Sequence, residues 1–186
     1  MRRSTPLLLL ALAACADLST DPARLSIEDA SFARIHDAEG SHGGTPMMIT
    51  LTPGAEVPGP GDPNPAAGAV MMMTLNSGQE EVCFKVDFSG LSAPVSNAHI
   101  HTGAAGVPGG VLVPLASPAW PAVMDGTVAQ CVFAPREVIK AIRKNPTDYY
   151  VNIHTSLTGA DPEPGRPGGA IRGQITRTQG SNVNQF

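Results

Sequence analysis

Aromatic side chains are scarce in this sequence, with one Trp, two Tyr and five Phe among 186 residues. Any core must therefore be filled by aliphatic side chains, and a hydrophobic content of 42% supplies enough for one domain. Charge is also thin, at 15% of residues, and the net charge is −4 with no basic block. That excludes nucleic acid as an expected partner. There are only three cysteines and no Cys-x-x-Cys pair, so the usual spacing of a structural zinc site is missing. No Gly-x-Ser-x-Gly occurs, hence no nucleophile elbow, and no carboxylate pair stands out for acid–base work. Asp161 and Glu163 fall in a Pro/Gly-rich loop, where solvation is the ordinary fate of a carboxylate. The apolar run Pro6–Ala14 is too short to cross a bilayer.

Glycine and proline, by contrast, are abundant. The 20 glycines and 18 prolines make about a fifth of the chain, against a usual ~12%. Many turns and short strands are expected, and long helices are not. Short β-rich runs recur between Met47 and Arg177, with hairpin chemistry at Asn76-Ser77-Gly78-Gln79. One segment breaks the pattern. Pro135 to Lys144 carries Val138, Ile139 and Ile142 as an apolar stripe and basic residues at its end, which predicts a short helix over 135–144. The fold class expected is all-β: a Greek-key β-sandwich or barrel of about seven or eight short antiparallel strands with that one helix.

The N-terminus reads as a targeting segment, with Arg2 and Arg3 before the short apolar run. Leu12-Ala13-Ala14-Cys15 resembles the lipobox of bacterial lipoproteins, which implies lipidation of Cys15 and a membrane partner through that anchor. Ala16 after the Cys points, in the sorting pattern of diderm bacteria, to the outer membrane or cell surface. An ordinary signal peptide with an incidental Cys is the alternative. The organisation expected is a signal peptide at 1–15, a flexible tether at 16–44, one domain at 45–178 and a disordered tail at 179–186. Cys83 and Cys131 then remain as an even pair in an oxidising compartment. A disulfide between them is expected, with two buried free thiols as the alternative.

The most informative residues are His99, His101 and His154. In Asn97-Ala98-His99-Ile100-His101-Thr102, alternation places His99 and His101 on one face of a strand. In Tyr149-Tyr150-Val151-Asn152-Ile153-His154-Thr155 it does the same for Asn152 and His154. With those faces together, three imidazoles and one amide converge. Imidazoles suit Cu or Zn, and three of them leave a coordination position open. The other reading is structural: the histidines hydrogen-bond the glycine-rich loop 103–110, with its Gly103 and Gly106, and hold it in place. The remaining histidines, His36 and His42, lie in the tether. Met47, Met48 and Met71–Met73 contain soft thioethers, but alternate methionines on strands ordinarily enter the core.

Four stretches carry a family resemblance: Leu51-Thr52-Pro53-Gly54-Ala55-Glu56-Val57-Pro58, His99-Ile100-His101-Thr102-Gly103-Ala104-Ala105-Gly106, Val151-Asn152-Ile153-His154-Thr155 and Gly168-Gly169-Ala170-Ile171-Arg172-Gly173-Gln174-Ile175. In this order they resemble the CHRD domain, a module named from chordin and common in secreted bacterial proteins. The resemblance spans roughly residues 47–177 and implies an extracytoplasmic β-rich domain, with Glu56, Asn152, Arg172, Gly103 and Gly106 among its motif residues. A non-enzymatic module that meets a protein or glycan partner follows from it; a metal-binding protein of the envelope is the alternative. The His-x-His strand is also similar to the copper ligands of Cu/Zn superoxide dismutase, a Greek-key barrel. A dinuclear centre with a bridging imidazole needs more histidines than this domain has. Arg172, set among small residues, is expected to pair with Glu56 or Asp87.

Overall fold

The structure is a computed structural model, and it describes residues 44–117, 119–156, 166 and 168–177. Cys15, the signal segment, His36, His42, Asp161, Glu163 and the tail 179–186 lie outside the described residues. Among the described residues nine strands form two antiparallel sheets. The strands are β1 (Thr45–Leu51), β2 (Gly68–Asn76), β3 (Glu81–Ser89), β4 (Val95–Thr102), β5 (Val111–Pro114), β6 (Gly126–Phe133), β7 (Tyr149–Thr155), β8 (Ile171–Gln174) and β9 (Thr176–Arg177). Among the described residues there is one α-helix, α1 (Arg136–Lys144), between β6 and β7. Sheet A has the order β6-β3-β2-β1-β9 and sheet B the order β5-β4-β7-β8. The sandwich expectation holds and the barrel does not, because the sheets do not close. The strand number exceeds seven or eight because the last β-rich run, expected as one strand over 170–177, divides into β8 of sheet B and β9 of sheet A.

Period-two alternation builds the core. Met47, Ile49 and Leu51 of β1, Met71, Met73 and Leu75 of β2, and Val82, Phe84 and Val86 of β3 turn inward from sheet A. Ala98 and Ile100 of β4, Val113 of β5, Val151 and Ile153 of β7 and Ile171 of β8 join the same cluster from sheet B. Burying one such Leu, Ile, Met or Phe stabilises by about 1.5–3 kcal/mol. Phe84 and Phe88 pack against Trp120, at ring-centroid distances of 5.7 and 6.3 Å. Ile139 and Ile142 of α1 complete the cluster from the helix's apolar stripe.

Met48 and Met72 point the other way and pack on Cys83 and Cys131. The two cysteines are direct register partners across β3 and β6 and form a disulfide. Strand β6 is an edge strand, held in its sheet through β3 alone, and the bond fixes it there.

The Gly/Pro-rich connection 53–67 is tied down by its own polar side chains. Asp62 is buried and accepts hydrogen bonds from the backbone N–H groups of Asn64 and Ser92 and from the Ser92 hydroxyl. Thr52 and Arg172 exchange backbone hydrogen bonds, joining the start of this connection to β8. Glu56 is thereby brought against sheet B.

The disulfide closes a loop of 48 residues, which on the chain-entropy model stabilises by roughly 3–4 kcal/mol. The Cys83→Ala, Cys131→Ala double variant should lose about that much in urea unfolding. Each single variant should lose as much as the double, since either change removes the same cross-link. A double variant as stable as the wild type would show that the cross-link contributes nothing.

Candidate metal centre

Sheet B has a dry face and a polar one. Because Ala98, Ile100, Val151, Ile153 and Ile171 point into the core, His99, His101, Tyr150, Asn152, His154, Arg172 and Gln174 must point outward. The register makes them neighbours: Asn97 opposes His154, His99 opposes Asn152, His101 opposes Tyr150, Asn152 opposes Arg172, and Tyr150 opposes Gln174. A register shift between Ile100 and His101, where β4 meets β5, lies between the two β4 histidines.

The outward face is nevertheless largely buried. His101 is 7% exposed, His154 8% and Arg172 1%. The glycine-rich loop 103–110 bonds to this face, and four side chains hold it. Arg172 Nη2 donates to the carbonyls of Ala104 and Val107 at 2.9 and 3.0 Å. Gln174 Nε2 donates to the Gly103 carbonyl at 2.7 Å. The Tyr150 hydroxyl accepts from the Gly109 N–H at 3.2 Å, and His101 Nδ1 donates to the Gly109 carbonyl at 3.1 Å. Gly103 and Gly106 adopt φ of +138° and +77°, a region that side chains disfavour, so the loop needs glycine there. Three rings or planes stack through its base: His101 lies on Tyr150 at 4.9 Å and 9°, and the Arg172 guanidinium sits 3.4 Å from the Tyr150 ring centroid.

Arg172 therefore corrects the ion pair expected from sequence. Among the described residues the ion pairs are Lys85–Asp87 and Lys140–Glu137. Asp87 lies on sheet A and is engaged by Lys85 and by the Thr127 hydroxyl. The Arg172 charge is solvated instead by neutral carbonyl dipoles and an aromatic face. Glu56 bonds to the neighbouring Asn152, whose Nδ2 donates to its Oε1 at 3.1 Å. A Cβ on Gly169 would come within 2.5 Å of the Glu56 carboxyl carbon and 2.6 Å of Asn152 Nδ2, so glycine is what admits this contact. Burial raises the pKa of Glu56 above its ordinary value, against the opposing effects of the Val57 N–H, Asn152 and Arg172.

The three imidazoles converge. Their ring centroids lie 5.0, 5.5 and 5.9 Å apart, and one nitrogen of each ring lies within 4.8 Å of the others. His99 Nδ1 and His154 Nε2 share a hydrogen bond at 3.1 Å. Two nitrogens bound to one tetrahedral Zn²⁺ at about 2.0–2.1 Å lie roughly 3.3 Å apart, so this pair already has a spacing that a metal can bridge. In His101 the Nδ1 proton is committed to the Gly109 carbonyl. Its Nε2 is left with a lone pair, is buried, and has no hydrogen-bond partner. A second ring nitrogen bonded to a backbone carbonyl is the usual support of a metal-ligating histidine. A second cluster, Glu81 with Cys83 and Cys131, offers no thiolate because both sulfurs are in the disulfide.

Sequence reasoning singled out His99, His101, His154, Asn152 and Arg172, and the structure gathers all five on one face. It passed over Tyr150 and Gln174. Each lies two residues from a residue already chosen, Asn152 or Arg172, so the same alternation rule points to them.

A model of the CHRD domain family matches residues 47–175. No curated protein and no solved structure matches the chain.

The electrostatics give a pH signature. Burial, followed by the neighbouring His154 and His101, lowers the His99 pKa from 6.5 to about 4. Burial and the nearby Arg172 also lower that of His101, against the Gly109 bond. The unfolded chain then binds protons that the folded one refuses, so stability should fall as pH drops from about 6.5 toward 4. Glu56, with its raised pKa, has the opposite slope above 4.5. Comparing wild type with His99→Gln in chelator isolates the histidine share: the variant should lose much of the acid destabilisation in urea unfolding. Parallel pH profiles would show that His99 titrates alike in both states.

Proposed function

The chain belongs to the CHRD domain family, and from that premise we propose an exported, lipid-anchored, non-enzymatic binding module whose centre is a copper or zinc ion held by His99, His101 and His154. One observation carries the metal reading. The buried His101 Nε2 has no hydrogen-bond partner, and one nitrogen of each of the three imidazoles lies within 4.8 Å of the others. A buried polar atom without a partner carries a desolvation penalty of about 1–3 kcal/mol, and a bound cation removes it. All-nitrogen ligation suits both metals, and the Irving–Williams order favours Cu²⁺ over Zn²⁺. Solvent or a group on the binding partner takes the fourth position. Loop 103–110 stands beside the centre, pinned at its base and exposed from Ala104 to Gly110. It is the surface offered to a protein or glycan.

Export has its own support. The disulfide fits an oxidising compartment, and among the described residues no helix is long and apolar enough to cross a membrane. The lipobox-like Leu12-Ala13-Ala14-Cys15 supplies the anchor, with the outer membrane or cell surface as its location.

Cu²⁺ and Zn²⁺ titrations of the chelator-treated protein should show one equivalent bound, with Cu²⁺ tighter. At a hundred times Kd the metal should stabilise the fold against unfolding by about 2.7 kcal/mol. His101→Ala should weaken binding by at least the roughly 10–100-fold that loss of a mere outer partner causes. Identical unfolding curves with and without metal would remove the metal reading and leave the histidines a structural role.

The anchor is tested separately. A palmitate analogue fed to cells should label the wild-type protein and not Cys15→Ser. Equal labelling of both, or none of either, would refute it.

A further inference from the structure

A cavity of about 450 Å³ lies between the β2–β3 hairpin, the last turns of α1 and the edge strand β9, lined by Thr45, Ser77, Lys140, Arg143, Lys144 and Arg177. Four of these six carry positive charge and none is a carboxylate, in a chain whose net charge is −4. We infer that this basic cavity is an anion site that docks the domain on the phosphate headgroups of an anionic membrane surface.

Two guanidinium groups are held in place before any ligand arrives. Arg143 Nη1 donates to the Ser77 hydroxyl at 3.1 Å, and Arg177 Nη2 donates to the Arg143 carbonyl. Each bond uses one of the five N–H donors of a guanidinium, so both groups keep donors for phosphate oxygens. Arg143 and Lys144 also satisfy the negative end of α1. Arg177, from β9, serves the same end through the Arg143 carbonyl and keeps further donors, whereas the Thr45 and Ser77 hydroxyls on the same wall have no part in that role. Lys140 pairs with Glu137 at 3.0 Å, and that carboxylate is itself well exposed.

Position selects the membrane over a free anion. Thr45 opens β1 and lines the cavity, so the chain leading back to Cys15, 30 residues earlier, departs from its rim. With the anchor proposed above, on which this placement rests, the basic cavity lies where the domain is tied to the bilayer. Basic side chains near an anionic surface each strengthen binding by about five-fold at moderate salt.

The test uses the full chain carrying Cys15→Ser, so that no acyl chain contributes. It is sedimented with vesicles of phosphatidylglycerol in phosphatidylcholine and with vesicles of phosphatidylcholine alone. Binding is expected to the anionic vesicles only, and to fall steeply as salt is raised well above 0.1 M, where the Debye length is already about 10 Å. Lys140→Gln with Lys144→Gln should weaken it about 25-fold. Lys85→Gln, a charge outside the cavity, should change it less than about two-fold on the same scale. Equal sedimentation with both vesicle types, or a double variant no weaker than Lys85→Gln, overturns the inference. So does stabilisation by inorganic phosphate without vesicle binding, which would make the site one for a free anion. Acyl labelling at Cys15 is read independently, so a failed anchor and a failed docking surface remain distinguishable.

Discussion

The buried guanidinium of Arg172 is the interaction on which the outer face of sheet B depends. Its position against the Tyr150 ring sets that ring as a wall between itself and His101. Its two bonds to Ala104 and Val107 draw the glycine-rich loop onto the sheet. A charge so deeply buried is costly unless its donors are met; the loop carbonyls take two bonds from Nη2 and the Tyr150 ring faces the guanidinium, while the buried Nη1 has no hydrogen-bond partner. The loop and the arginine therefore require each other. With the loop in place, the Gly109 carbonyl fixes the His101 ring, and that ring is the one whose second nitrogen stays available.

The two faces of sheet B divide the labour. Inward, aliphatic side chains join the hydrophobic core shared with sheet A. Outward, the same strands carry polar and aromatic groups that are buried by a loop rather than by another sheet. Imidazole placement and loop order are thus coupled. The group that orients His101 belongs to the loop, so a disturbance at Gly109 reaches the imidazoles without altering any of them.

Much of this was legible in the sequence because alternation in a strand is a strict rule. Once Tyr149–Thr155 is read as a strand, Asn152 and His154 share a face, and the same holds for His99 and His101. The pairing of Cys83 with Cys131 followed from an even count in an oxidising compartment. What the sequence could not supply was register and partner choice. Arg172 was expected to meet a carboxylate because charge complementarity is the simplest pairing rule. A planar cation also binds well to carbonyls and to an aromatic face, and only the three-dimensional placement of the loop decides between these. The division of the last β-rich run into β8 and β9 was not legible for a different reason: so short a pairing depends on β1, its neighbour in space, rather than on its own composition.

The cross-link between β3 and β6 has a consequence for the integrity of the chain. Residues 83–131 form a covalently closed ring, and that ring contains β4, β5 and the exposed loop beside the histidines. A single backbone cut by a protease anywhere in that stretch would not release a fragment. Both halves would stay joined through sulfur, with β4 still paired to β7. The loop can thus lie open to the surroundings while one scission leaves the domain in one piece.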